Sequence, residues 1–134
     1  MFKKILLVDG TTEDAELTFN ALHHCGIKNP VVYVGDGTQA LIRLVEDRDI
    51  AIVLLNLHTH VAEGFDLLKQ LRFQPQFSLT PVFLVSSFYD EAHRKRAELL
   101  GASGYVVKAF EPERFADLLC DALAPFRHLL EEAA

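Results

Sequence analysis

Four side chains of contrasting chemistry stand directly after apolar runs in this 134-residue sequence. Asp9 follows Ile5-Leu6-Leu7-Val8, Asn56 follows Ile50-Ala51-Ile52-Val53-Leu54-Leu55, Ser86 follows Val82-Phe83-Leu84-Val85, and Lys108 follows Gly104-Tyr105-Val106-Val107. In open parallel sheets ligands bind just beyond the carboxyl ends of the strands, so these places are candidates for one shared site. A carboxylate, an amide, a hydroxyl and an ammonium can hold a small ion or neutralise one another. Catalysis fits poorly. The carboxamide oxygen of Asn56 lacks the charge and basicity of a carboxylate nucleophile, and no second acid, thiol or base accompanies it.

The elements that must position these groups follow from the apolar pattern. Six apolar residues without polar alternation, Ile50 to Leu55, read as a strand covered on both faces by helices. Strand and helix patterns alternate about five times. Ile5 to Val8 is the first strand; Thr12 caps a helix with Glu13 and Asp14 in its first turn, and Ala15, Phe19 and Leu22 form its apolar face up to Cys25. Gly26 breaks that helix. Val31 to Val34 is the second strand, Gly35-Asp36-Gly37 a turn, and Thr38 to Glu46 a helix with Ala40, Leu41, Leu44 and Val45 inward. The glycine-rich turn lacks the spacing and lysine of a phosphate loop. Gly64 opens the third helical pattern, carried by Phe65, Leu68 and Leu71, with Pro75 beyond its end. Asp90 to Leu100 is a charged helix closed by Gly101, and Pro112 fits the first turn of a last helix that Pro125 should kink or end. Strict alternation with short connections gives right-handed crossovers and one (βα)5 α/β domain, a doubly wound parallel sheet in the flavodoxin-like order 2-1-3-4-5.

Composition narrows the function. A formal charge of −6 with no basic stripe argues against a nucleic-acid surface and for small-molecule or protein partners. The run Asp90-Glu91-Ala92-His93-Arg94-Lys95-Arg96 reads as one solvated face of mixed charge. The apolar start is interrupted by Asp9, too short for export or for a membrane span, so a cytoplasmic location is expected. Cys25 and Cys120, far apart and both in helical patterns, read as buried reduced thiols. His23 and His24 fit a solvated helix face. His58 and His60, with Asp9 or Glu63, form a weakly spaced alternative metal site.

Over its whole length the chain resembles the CheY-like receiver domains of two-component response regulators. The resemblance rests on Lys4-Ile5-Leu6-Leu7-Val8-Asp9, Val53-Leu54-Leu55-Asn56, Glu63-Gly64-Phe65-Asp66-Leu67-Leu68, Val85-Ser86-Ser87 and Gly101-Ala102-Ser103-Gly104-Tyr105-Val106-Val107-Lys108. Asp36-Gly37 followed by Ala40-Leu41 adds to it, and Asn29-Pro30-Val31-Val32 is similar to the small receivers paired with phytochrome-type kinases. The family uses an aspartate after the third strand as phosphoacceptor and two acids after the first strand to hold Mg²⁺. Here the first place is Asn56 and one of the other two is Gly10. The resemblance therefore implies a pseudo-receiver with no aspartyl phosphorylation at Asn56. Of the three usual carboxylates only Asp9 remains, with Lys108 opposite, so the pocket is formally near neutral and Mg²⁺ should bind weakly or not at all. Glu13 and Asp14 are more simply partners of the helix dipole.

The rest of the family's switch is present. Ser86 is expected to hydrogen-bond a group on residue 56, Tyr105 to report the state of the fourth strand end, and Lys108 to donate to Asn56 and pair with Asp9. Ala109 stands where the family commonly has proline after a cis bond. A non-proline cis bond costs about 2.5–4 kcal/mol, so either a trans bond with a rearranged loop or local strain is expected. The reading is a stand-alone receiver over residues 1–134, with no output domain and no enzymatic activity, acting on a histidine kinase or downstream effector through the fourth helix, fifth strand and fifth helix. Homodimerisation through Phe115, Leu118, Leu119, Leu123 and Phe126 is a further option, although packing on the sheet would use most of that surface. Two alternatives stay open: a conventional receiver in which Asn56 is an engineered substitution, and a small metal or cofactor binder using the His58 and His60 loop.

Overall fold

An apolar run such as Ile50 to Leu55 has no face suited to water, and the structure places it in the middle of a five-stranded parallel sheet. This is a computed structural model, and it describes residues 3–57, 61–108 and 111–131. In chain order the elements are β1 (Lys4–Val8), α1 (Thr12–His24), β2 (Val31–Val34), α2 (Gly37–Glu46), β3 (Ile50–Asn56), α3 (Val61–Phe73), β4 (Val82–Ser86), α4 (Glu91–Leu99), β5 (Gly104–Val107) and α5 (Pro112–Leu123). Short 3₁₀ segments follow α3 at Pro75–Phe77 and α5 at Ala124–Leu130. The strand order is β2-β1-β3-β4-β5, all parallel, the flavodoxin-like α/β arrangement expected from the pattern.

Successive strand residues point to opposite faces, so each central strand feeds two cores. Ile5, Leu7, Ile52, Leu54, Phe83 and Val85 pack under α1 and α5. Leu6, Val8, Val53, Leu55, Val82 and Leu84 pack under α2, α3 and α4. Full burial of one such side chain stabilises by about 1.5–3 kcal/mol, which is why the register is fixed despite the lack of polar alternation. On α5, Phe115, Leu119 and Leu123 are buried on the sheet, and Leu118 together with Phe126 of the following 3₁₀ segment lies partly buried against the same core, which uses most of the apolar surface that a homodimer would need. Pro125 ends the α-helical hydrogen bonding, as its position predicts, and the chain continues as 3₁₀.

Several expectations need correction. The N-cap of α1 is Thr11, not Thr12: the Thr11 hydroxyl accepts from the Asp14 amide at 3.3 Å. Adjacent threonines carry the same capping chemistry, so side-chain type could not choose between them. Helix α3 begins at Val61, three residues ahead of Gly64. Phe19 and Val45, assigned inward, are 44% and 60% exposed, because the sheet covers a narrower arc of α1 and α2 than their apolar residues span. Cys25 and Cys120 are joined in a disulfide, with Cα atoms 5.4 Å apart. Helical patterning at each site carried no sign that α1 and α5 lie side by side on one face of the sheet.

Gly104 marks a close approach that only a missing side chain allows. A Cβ there would lie 2.9 Å from Cδ1 and 3.1 Å from Cε1 of Phe83. That ring is fully buried and held edge-on by Phe126, with centroids 5.3 Å apart, so it has little room to turn away. Gly104→Ala is expected to lower stability by about 1–3 kcal/mol, read as a fall in the urea midpoint at unchanged slope. An unchanged midpoint would mean the ring moves freely.

Candidate functional site

The register of β1 on β3 pairs Val8 with Leu55, so the next residue of each strand, Asp9 and Asn56, emerges side by side at the carboxyl edge. Asn56 Nδ2 donates to Asp9 Oδ2 at 2.7 Å. The Thr11 amide donates to the other carboxylate oxygen at 3.1 Å, and the Tyr33 hydroxyl donates to the Asp9 carbonyl at 3.0 Å. Asp9 is 1% exposed, and the two bonds to its carboxylate stabilise a charge that would otherwise be costly to bury.

Lys108 arrives from the far edge, at the end of β5. Its Nζ is buried and lies 3.8 Å from Asp9 Oδ2 and 3.7 Å from Asp14 Oδ1, with no hydrogen bond to any described residue. The expected donation from Lys108 to Asn56 is therefore absent: the Asn56 amide itself takes the carboxylate that the ammonium would have bonded. Asp14 lies in the first turn of α1, where it meets the helix dipole as expected, and it also supplies a second counter-charge to Lys108. With Asp9, Asp14 and Lys108 the cluster is formally −1, not neutral. The one sequence sign of this was the spacing, since Asp14 lies one helical turn inside the cap and points back over the strand ends.

Ser86 does not reach toward residue 56. Its hydroxyl donates to the Phe88 carbonyl at 2.9 Å and accepts from the Phe88 amide at 3.4 Å, a local turn at the end of β4. Tyr105 packs against the α2/α3/α4 core and its hydroxyl meets the same Phe88 carbonyl at 3.5 Å. Both switch-type residues thus converge on the β4–α4 connection rather than on the carboxylate pair. His58, His60 and Ala109 lie outside the described residues, and with them the alternative metal site and the expectation for the bond after Lys108.

A hollow of about 30 Å³ beside the pair is lined by Asp9, Gly10, Asp36, Asn56 and Glu63 among others. It has room for no more than about two water molecules, too little for an organic cofactor. A divalent cation fits badly as well. Both Asp9 oxygens already accept hydrogen bonds, an ammonium stands 3.8 Å from one of them, and no group of three or more His, Cys, Asp or Glu side chains converges among the described residues.

The family model for the response regulator receiver domain matches residues 5–119. The chain belongs to that family. The receiver is 24% identical to a chemotaxis protein CheY homolog of Campylobacter jejuni over 120 residues, covering 90% of this chain and 92% of that protein. Among solved structures it is similar to the bacteriophytochrome response regulator RtBRR, at 34% identity and TM-score 0.74, covering 91% of this chain and 78% of that one. The bacteriophytochrome response regulator AtBRR matches at 30% identity and TM-score 0.75, covering 100% and 97%. Receiver domains are signalling domains of two-component systems and work through histidine kinases and effectors. No helix among the described residues is long and apolar enough to cross a membrane.

Proposed function

We propose that this receiver is a signalling adaptor that works by protein contact, without aspartyl phosphorylation at residue 56, without enzymatic turnover and without a resident Mg²⁺. The observation that carries this reading is the 2.7 Å bond from Asn56 Nδ2 to Asp9 Oδ2. An N–H group there does more than remove a nucleophile. It supplies the contact to Asp9 that a cation otherwise makes, so the carboxylate is satisfied in the resting chain. Gly10 removes the next acid in the same place, which a single engineered change at residue 56 would not account for.

Asp9, Gly10, Asn56, Ser86, Tyr105 and Lys108 are assigned to a degenerate phosphorylation pocket and its former switch. In this reading the Phe88 carbonyl, held by Ser86 and Tyr105, fixes the β4–α4 connection in one state, and a partner rather than a phosphoryl group shifts it. The test is intact mass after incubation with acetyl phosphate and Mg²⁺. The native chain is expected to keep its mass; a phosphoryl adduct on it would sink the proposal and call for mapping of another acceptor.

A further inference from the structure

Two helices carry neighbouring stripes on the side of the molecule away from α5. On α2 the stripe is Thr38, Leu41, Ile42 and Val45; on α3 it is Glu63, Asp66, Leu67 and Gln70. Each follows the i, i+3, i+4, i+7 spacing of one helical face. Between them runs an open groove of about 470 Å³ whose apolar floor is the exposed Ile42 and the half-buried Leu41, with Leu67 buried beneath. Ile42 and Val45 are 54% and 60% exposed, an unusual position for β-branched apolar side chains three residues apart on one helix.

The rim has one sign of charge. Asp36, Glu63 and Asp66 line the groove, are exposed and form no ion pair with any described residue, and no Lys, Arg or His is among its described lining residues. The amino ends of α2 and α3 open here too, each equivalent to about half a positive charge. Three carboxylates against two half-charges leave roughly −2 at the mouth of an apolar trough. Asp36, Gly37, Glu63 and Leu67 also line the hollow beside Asp9 and Asn56, so the groove leads directly to the degenerate pocket.

We propose that the α2–α3 groove is a docking site for a basic amphipathic helix of a partner protein, whose apolar residues sit on Leu41 and Ile42 and whose Lys or Arg side chains meet Asp36, Glu63 and Asp66. This rests on the reading that output is by protein contact. An amphipathic helix laid in a groove between two helices buries one stripe against both walls, and charge complementarity sets its orientation. A second copy of this chain is a poor occupant, since with a formal charge of −6 it would bring more acid to an acidic rim.

The test uses a synthetic amphipathic peptide of leucine and lysine with helical periodicity, and its counterpart with glutamate in place of lysine. The readout is the backbone amide NMR spectrum of the full chain. The lysine peptide is expected to shift residues 36–45 and 63–70 and to bind less tightly as salt rises, while the glutamate peptide leaves them unmoved. The Glu63→Lys, Asp66→Lys variant is expected to weaken binding at least about tenfold, and Ile42→Ser to weaken it without changing the salt dependence. These positions are exposed, and circular dichroism of each variant verifies its fold. Shifts confined to another face, equal binding of both peptides, indifference to the charge reversal or no binding at all would each overturn the proposal. None of those outcomes bears on the Asn56 pocket, whereas a phosphoryl adduct on the native chain would overturn the pocket reading without moving these shifts.

Discussion

A chain carrying both Asn56→Asp and Gly10→Asp is expected to gain the mass of one phosphoryl group from acetyl phosphate in the presence of Mg²⁺. In that step a carboxylate oxygen of residue 56 forms a bond to phosphorus as the bond to the acetate oxygen breaks, and acetate leaves with the electron pair. The backbone is ready for both changes. Gly10 is not among the described glycines with a left-handed φ, so its backbone does not call for glycine. Residue 56 already directs its side chain at Asp9. The two substitutions should differ in kind. Asn56→Asp alone replaces a 2.7 Å hydrogen bond with two carboxylates in contact, which cannot both ionise cheaply, so this variant should melt lower at neutral pH and recover as pH falls and one of them binds a proton. The double variant should in addition show a melting temperature that rises with Mg²⁺, while that of the native chain is expected to stay put, because the variant gains acids that bind the ion more tightly when folded. A double variant that stays unlabelled while folded would mean that the pocket departs from a working receiver by more than these two residues.

Asp9→Asn is expected to cost about 3–5 kcal/mol, and Lys108→Met about 1 kcal/mol or less. At first sight the two residues are partners in one buried ion pair and should be equivalent. Their hydrogen bonding makes them unequal. Asp9 accepts from the Asn56 amide and from the Thr11 backbone, so an asparagine in its place turns one acceptor oxygen into a second N–H facing a donor and also strips Lys108 of a counter-charge. Lys108 donates no hydrogen bond to the described residues, and methionine fills most of its volume while leaving both bonds to Asp9 intact. Chemical denaturation of both variants decides it. Equal losses, or a larger loss at Lys108, would show that the ammonium and not the amide network holds Asp9 in place.

The fold was legible because the apolar runs are long and regular. Ile50 to Leu55 could only be a central strand, and once the order was fixed Asp9 and Asn56 had to meet. What the pattern could not show was how the site's polar groups share their bonds. Residue type alone allows Lys108 to bond Asn56 or Asp9; the pattern does not show that α1 brings Asp14 to the same ammonium. Ser86 was misassigned for a similar reason, since a hydroxyl at a strand end can serve its own turn at low entropic cost before it reaches across the sheet. The disulfide was missed because helix packing across 95 residues leaves no local trace.

That disulfide closes a covalent ring from residue 25 to residue 120, and β2 to β5 fall inside it while β1 lies outside. A protease cutting any connection within the ring opens it without releasing a fragment. The nicked molecule keeps its intact mass plus one water until a reductant is added, and only then separates into two pieces. Digests of this receiver will therefore separate fragments cut once within the ring only under reducing conditions, whereas a cut in the β1–α1 connection, outside the ring, releases its fragment either way.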